Sequence, residues 1–375
     1  MMHHHQLWWR FFPKKELTQI YISVLLRSFG VSLISLFLPL YLYKELDYML
    51  EKTLYFFIIY ALVFAITTPI AAKFAARYGM KHAILLSVPF FLLMILFLRL
   101  LPKLPIPIEI VGALLGLHVA FYWMGLHLIF YYDSDQKHRG EEFGKRMAFS
   151  VLGATLGPFI GGVLIKYVGF YSVFILTSIV LFLSAMFLFL SHDNHVRYHF
   201  AIRSLLDLRH LENALFFMSR GTFAIASEVI WPLMVFLILD DYLSLGMIGS
   251  LISAVSAILI WIVGKYSDHC DKRQIIRVAT IFESASWIAR AMVTTVAGVF
   301  GITTVGAIIY GVFEAPVGTL EYDKASRRDI TEYFVSREIF INIGRIAILL
   351  FVLFTNSLSG GLVFHGIATL ATFLF

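Results

Sequence analysis

The sequence predicts an all-α integral membrane protein of twelve transmembrane helices in two six-helix bundles, and three observations predict it. Of its 375 residues, 59% are hydrophobic and 14% charged, whereas a soluble domain carries about 25% charged residues. The apolar residues gather into twelve stretches, most of them as long as the roughly 20 residues that cross a bilayer core. The third observation is the sorting of Lys and Arg: of 30 in all, 21 lie at the N-terminus and in or bordering the even-numbered gaps, five in or bordering the odd-numbered gaps and four deep within the stretches. By the positive-inside rule this alternation places both termini in the cytoplasm of a cell (plasma or inner) membrane. It also accounts for the net charge of +6, so no nucleic-acid partner is expected.

The stretches fall near 17–43, 52–76, 81–101, 106–132, 144–168, 170–191, 213–239, 243–266, 275–297, 299–320, 335–357 and 360–375. The first is too long for a signal-peptide core and lacks a small-residue cleavage site, so it is predicted to be a retained helix. Residues 1–16 read as a cytoplasmic segment, with Trp8 and Trp9 suited to the interface. The N-terminal bundle is expected over 17–191 and the C-terminal bundle over 213–375, joined by a cytoplasmic linker, 192–212, whose sequence RYHFAIRSLLDLRHLE predicts an interfacial helix. The twelfth stretch is short: at about 1.5 Å per residue it spans roughly 24 Å, so a short or truncated last helix is expected. The single cysteine, Cys270, leaves no internal disulfide framework.

The two halves repeat. Arg27 and Pro39 in the first stretch recur as Arg220 and Pro232 in the seventh, offset by 193. AKFAARYGMKH after the second stretch parallels GKYSDHCDKR after the eighth, and Val111-Gly112-Ala113 recurs as Val305-Gly306-Ala307, at offsets of 192 and 194. Three correspondences at nearly one offset predict a duplication, and two related bundles with a binding site at their interface are a transporter plan.

The fifth stretch opens with GKRMAFSVLGATLGPFIGG. Gly153, Gly157 and Gly161 are four apart and share one helical face, where another backbone can approach closely, and Pro158 predicts a bend. With Gly144 and Gly162, the spacing resembles the antiporter signature in the fifth helix of the major facilitator superfamily. The gap after the eighth stretch resembles that superfamily's loop signature at Gly264, Asp268, Lys272 and Arg273. The gap after the second matches at Arg77, Gly79 and Lys81 but carries Ala72 and Ala76 where the glycine and aspartate belong. The resemblance implies a secondary transporter close to the drug:proton antiporter branch, with these loops as cytoplasmic latches and the glycine face of the fifth helix pivoting against a helix of the other half.

Ionisable residues at bilayer depth are costly and usually face a bundle interior. Arg27 and Arg220, at equivalent positions, form a candidate clamp for an anion, with Arg220 the more prone to snorkel to the interface. Such an arginine pair is similar to that of organophosphate:phosphate antiporters of the superfamily, although the flanking residues differ. Glu228, near mid-helix before Trp231-Pro232, is the first candidate for proton coupling, because burial disfavours the charged form of a carboxylate. Glu314 and Arg345 are expected to pair with each other, as are Glu283 and Arg290. His118 and His127, nine apart on one face, are candidate proton relays. The superfamily's helix-4 arginine is absent between Ile106 and Tyr132. Tyr60, Phe121, Tyr122, Trp123, Trp231, Trp261, Trp287 and Tyr310 are candidates for a cavity wall, most of them being expected instead to face lipid or the interface.

The expected function is secondary active transport by alternating access, with proton-coupled export of a small amphipathic or anionic molecule. The expected partners are the bilayer, that substrate and a coupling proton; no cofactor or metal is expected, and the protein is expected to be a monomer. A polytopic enzyme acting on lipid-linked substrates, or a non-transporting sensor, is the alternative.

Overall fold

The computed structural model describes residues 15–133, 139–189, 198, 200, 211–266, 272–325 and 329–375. The interfacial helix expected in the linker and Asp268 of the second loop signature lie outside these residues. All regular elements among the described residues are helical. The first, α1, runs Lys15–Ser35, bends, and continues through Leu38–Leu40 into a π-helical turn at Tyr41–Glu45. It is followed by α2 (Leu50–Tyr78), α3 (Met80–Leu100), α4 (Ile108–Asp133), α5 (Arg139–Tyr167) and α6 (Phe170–Phe189). In the second half, α7 comprises Leu211–Ile225, a π-helical turn at Ala226–Ile230, and Trp231–Leu239. Then come α8 (Tyr242–Tyr266), α9 (Lys272–Arg290), α10 (Val296–Ala325), α11 (Ile330–Thr355) and α12, an α-helix at Leu358–Ala368 that tightens to 3-10 geometry at Thr369–Leu374.

Ten of the described helices are long and apolar enough to cross a membrane. The chain is therefore an integral multi-pass membrane protein, though two expected spans fall short by themselves. In α9 the charged residues Lys272, Arg273, Arg277, Glu283 and Arg290 lower the apolar content below that of a free-standing span. Helix α12 is simply too short.

The duplicated prolines mark irregular turns in both helices. Pro39 stands second in the restarted segment Leu38–Leu40, where a missing N–H costs no intrahelical bond, whereas Pro232 follows directly on the π-helical turn Ala226–Ile230 inside an unbroken helix and removes one such bond there. Gly79 makes the turn from α2 to α3 with a φ of 114°, a conformation that side chains rarely tolerate. Arg77 lies in the last turn of α2, and Lys272 and Arg273 open α9. Helix α11 starts on Asp329, whose carboxylate accepts the Glu332 N–H at 3.1 Å.

Helices α1–α6 pack among themselves, as do α7–α12, and the halves meet chiefly where α5 lies along α8 and α2 along α11. The glycine face of α5 is not at that seam. A Cβ at Gly153, Gly157 or Gly161 would strike α1 of the same half, at the Leu25 carbonyl, the Ser32 side chain and the Leu33 carbonyl. The seam uses other small residues. A Cβ at Gly162 would meet the Tyr242 carbonyl oxygen at 2.6 Å, and those at Gly246 and Gly249 of α8 would press on Pro158. The four-residue spacing thus locks α5 to α1, while Pro158 and Gly162 make the contact between halves. Gly144 and Gly264 fall within α5 and α8, and no contacts are described for them.

Candidate functional site

Between the halves lies a cavity of about 450 Å³, within the size range of small-molecule sites. Helices α1, α2 and α4 contribute Arg27, Tyr60, His118 and Trp123 to its wall, and α7, α10 and α11 contribute Arg220, Glu228, Glu314 and Arg345. These helices are largely apolar, so the charged faces can turn only inward.

The charges pair unevenly. One Arg220 guanidinium nitrogen donates to both carboxylate oxygens of Glu314 at 2.8 Å. The two side chains are 14% and 12% exposed, so Arg220 does not snorkel, and Glu314 pairs with Arg220 in place of the expected Arg345. Arg345 instead donates to Asn342 at 3.0 Å and lies 5.4 and 5.2 Å from the ring centroids of Tyr60 and Phe64 on α2. Arg27 lies 3.2 Å over the Tyr122 ring and donates to His118 Nε2 at 3.3 Å. His118 Nδ1 is 2.8 Å from the Ser87 carbonyl. A carbonyl only accepts, so Nδ1 carries the hydrogen and Nε2 is left to accept from Arg27. This arrangement uses both ring nitrogens in holding an arginine. The symmetric pair therefore divides: Arg27 meets no carboxylate, whereas Arg220 is taken by one.

Glu228 sits in the π-helical turn of α7 with its side chain exposed to the cavity. It makes no hydrogen bond or ion pair among the described residues, and Arg345 is the cation whose field acts on it. A π-turn inserts a residue and rotates the following side chains, which is how such turns re-aim functional groups. Trp231 begins the next segment but is buried at 3% exposure, against Arg290 and away from the cavity.

Each end of the cavity is tied across the halves. At the end rich in Lys and Arg, His127 of α4 stands 3.4 Å from Glu338 of α11 and stacks on Phe334. Arg337 bonds Glu338 and donates to Glu321 of α10 at 2.9 Å. Sequence reading counts Arg337 with the gap it borders and passes over Glu321 and Glu338, although two acids at the ends of apolar runs beside an arginine were the available signal. At the base-poor end, the Tyr242 hydroxyl donates to Glu45 at 2.8 Å and Lys166 meets Asp241 at 2.8 Å. Lys166, with the Ser244 hydroxyl and amide, holds the Asp241 carboxyl down to about 2.

A second polar group lies behind the cavity in the C-terminal half. Glu283 and Arg290 do not bond each other. The Trp287 indole stands between them, its N–H donating to Glu283 at 2.8 Å and its face lying 3.9 Å from Arg290. His365 of α12, which sequence reading missed in the short last stretch, bonds Thr222 of α7 at 2.8 Å. Of the aromatics expected mainly at lipid, Phe121, Tyr122 and Trp287 are buried and Tyr60, Trp123 and Tyr310 line the cavity; the Trp261 side chain lies outside the described residues.

Among known proteins, this chain is 25% identical over 272 residues to the uncharacterized protein YqgE of Bacillus subtilis (strain 168), a match covering 65% of this chain and 60% of that relative. The chain thus spans less than two thirds of the relative's length. The sequence profile of the Major Facilitator Superfamily matches residues 20–348, which takes in α1 to α11 up to the cavity-lining Arg345. A helical bundle in two tied halves, a charged cavity between them and that match lead to one conclusion: the chain belongs to the Major Facilitator Superfamily.

Proposed function

We propose that the protein is a proton-coupled secondary transporter that carries a small amphipathic or anionic molecule through the cavity by rocking its two halves. The observation that carries this reading is Glu228, an acid without a bonding partner among the described residues, facing a cavity built from both halves. A carboxylate in that position binds a proton with a different affinity in each state, because the groups around it change as the halves move. The two ties act as gates: the His127–Glu338 contact closes the base-rich side and the Glu45–Tyr242 and Lys166–Asp241 contacts close the other. Opening one set while keeping the other gives alternating access. The distribution of Lys and Arg favours cytoplasmic termini in a cell membrane, and the glycine pattern of α5 favours export.

The test is transport into proteoliposomes under an imposed pH gradient, using compounds drawn from an unbiased screen of metabolites and drugs. Gradient-driven accumulation is expected for the wild type and not for Glu228→Gln, which should retain gradient-independent exchange. Accumulation indifferent to the gradient, or undiminished in Glu228→Gln, would remove the coupling assignment.

A further inference from the structure

The cavity wall carries four arginines and four glutamates, but they are not evenly matched. Arg220 is matched by Glu314, and Arg337 by Glu321 and Glu338. His127 closes on Glu338 as well. Two guanidiniums remain without a carboxylate, Arg27 on the N-terminal half and Arg345 on the C-terminal half, and one carboxylate remains without a bonded cation, Glu228. The Nε of each of these two arginines has no hydrogen-bond partner. Tyr60 lines the same cavity, its ring centroid 5.4 Å from the Arg345 guanidinium.

We infer that Arg27, Tyr60 and Arg345 form the pole that binds the anionic group of the substrate, a monoanion with an aromatic or apolar body, and that each anion binds together with one proton on Glu228. This deepens the transporter assignment and rests on it. With Glu228 ionised, the pole formed by Arg27, Arg345 and Glu228 carries a local excess of one positive charge, the surplus carboxylate lying at the Arg337 end, and that excess draws an anion and repels a cation. The two guanidiniums come from opposite halves, so an anion held by both would pull the halves together over it. Phe57, Phe91, Trp123, Phe223 and Tyr310 supply apolar wall for the remainder of the molecule. Arg345 is also the cation acting on Glu228. An anion arriving at Arg345 sets a second negative charge beside Glu228, and a like charge close by disfavours the ionised form of a carboxylate. The other titratable group near the π-turn, His365 of α12, is turned to Thr222 and does not relieve that repulsion. Glu228 therefore takes up a proton from solution as the anion binds, and by reciprocity the proton strengthens anion binding. For an anionic substrate this makes the proton a companion and departs from the export that the glycine pattern of α5 favours: net flux follows the sum of both gradients, inward wherever the proton gradient points inward.

The experiment is calorimetric titration of the full chain in lipid nanodiscs with 2-naphthoate, 2-naphthamide and 2-naphthylmethylammonium, in two buffers of different ionisation enthalpy. Naphthoate should bind at least about tenfold tighter than the amide, the worth of one charge-assisted hydrogen bond. About one proton should enter with it in the wild type and none in Glu228→Gln. Arg27→Gln and Arg345→Gln should each lose about tenfold or more for naphthoate and little for the amide. Arg27→Lys and Arg345→Lys, with unchanged melting transitions, should recover part of the loss. Naphthoate binding no tighter than the amide, or proton uptake persisting in Glu228→Gln, would overturn the inference. Preference for the ammonium, in a protein that still carries it across proteoliposomes, would overturn the anion pole while leaving the transporter assignment intact.

Discussion

Replacing Gly162 by Ala tests the seam on which the halves are proposed to move. An added Cβ would stand 2.6 Å from the Tyr242 carbonyl oxygen and 3.2 Å from the Leu243 Cα, when ordinary contact begins at 3.4 Å. The obstacle is backbone, so no side chain can rotate away, and α5 and α8 must separate by about the missing 0.8 Å. Inserting a methyl into a packed interior costs about 1–3 kcal/mol, and the rigid obstacle argues for the upper end. Alanine's better helix propensity returns about 1 kcal/mol, leaving a net loss near 2 kcal/mol. Gly301 of α10 is the internal control. Nothing lies within 4 Å of its virtual Cβ, so Gly301→Ala should be neutral or slightly stabilising. The assay is equilibrium unfolding in detergent, paired with transport rate in proteoliposomes. The seam variant should lose both stability and rate. Equal stability and equal rate for the two alanine variants would refute the reasoning, because it would mean that α5 and α8 are free to part.

Three further outcomes follow from the same geometry. Glu314→Gln should destabilise by about 3–5 kcal/mol, because it leaves Arg220 buried without its partner, whereas the Arg220→Gln/Glu314→Gln double variant should cost less in the same unfolding assay. His118 should show a protonated Nδ1 in nitrogen NMR of the ring, and His118→Phe should weaken binding of any ligand held by Arg27, since the ring no longer positions that guanidinium. The Lys166–Asp241 tie depends on a carboxylate whose folded-state pKa is depressed, so its contribution is present above the ordinary carboxylate range and is lost only as pH falls towards about 2. Carbon NMR of labelled Asp241 should therefore show no titration near the usual 3.8; a midpoint there would mean that the pair does not form.

Much of the architecture was legible because hydropathy and charge sorting are one-dimensional signals. The twelve apolar stretches correspond to the twelve helical elements described, and the Arg27/Arg220 and Pro39/Pro232 correspondence falls on matching positions of α1 and α7. What sequence reading lacked was the rotation of each helix about its axis. The glycine face of α5 was identified but not its partner, since close approach says nothing of which helix approaches. Arg220 looked like a snorkelling residue from its depth, yet its partner Glu314 comes from α10, far along the chain. Pairing Glu314 with Arg345 followed chain adjacency, which predicts neighbours only on average. The π-turns at Tyr41–Glu45 and Ala226–Ile230 have no simple pattern beyond the nearby prolines, and the second of them aims Glu228 into the cavity.

Alternating access is the central claim, and distances between spin labels on the two halves test it most directly. In a Cys270→Ser background, one pair at Tyr132 and Leu211 reports the base-rich end and another at Tyr167 and Met292 the base-poor end, all four sites being exposed. The account predicts two distances for each pair, with reciprocal populations: as the His127–Glu338 end opens the Lys166–Asp241 end closes, and acidification or naphthoate shifts the balance at both ends together. A single distance at each end, unmoved by acid or by naphthoate, would contradict it.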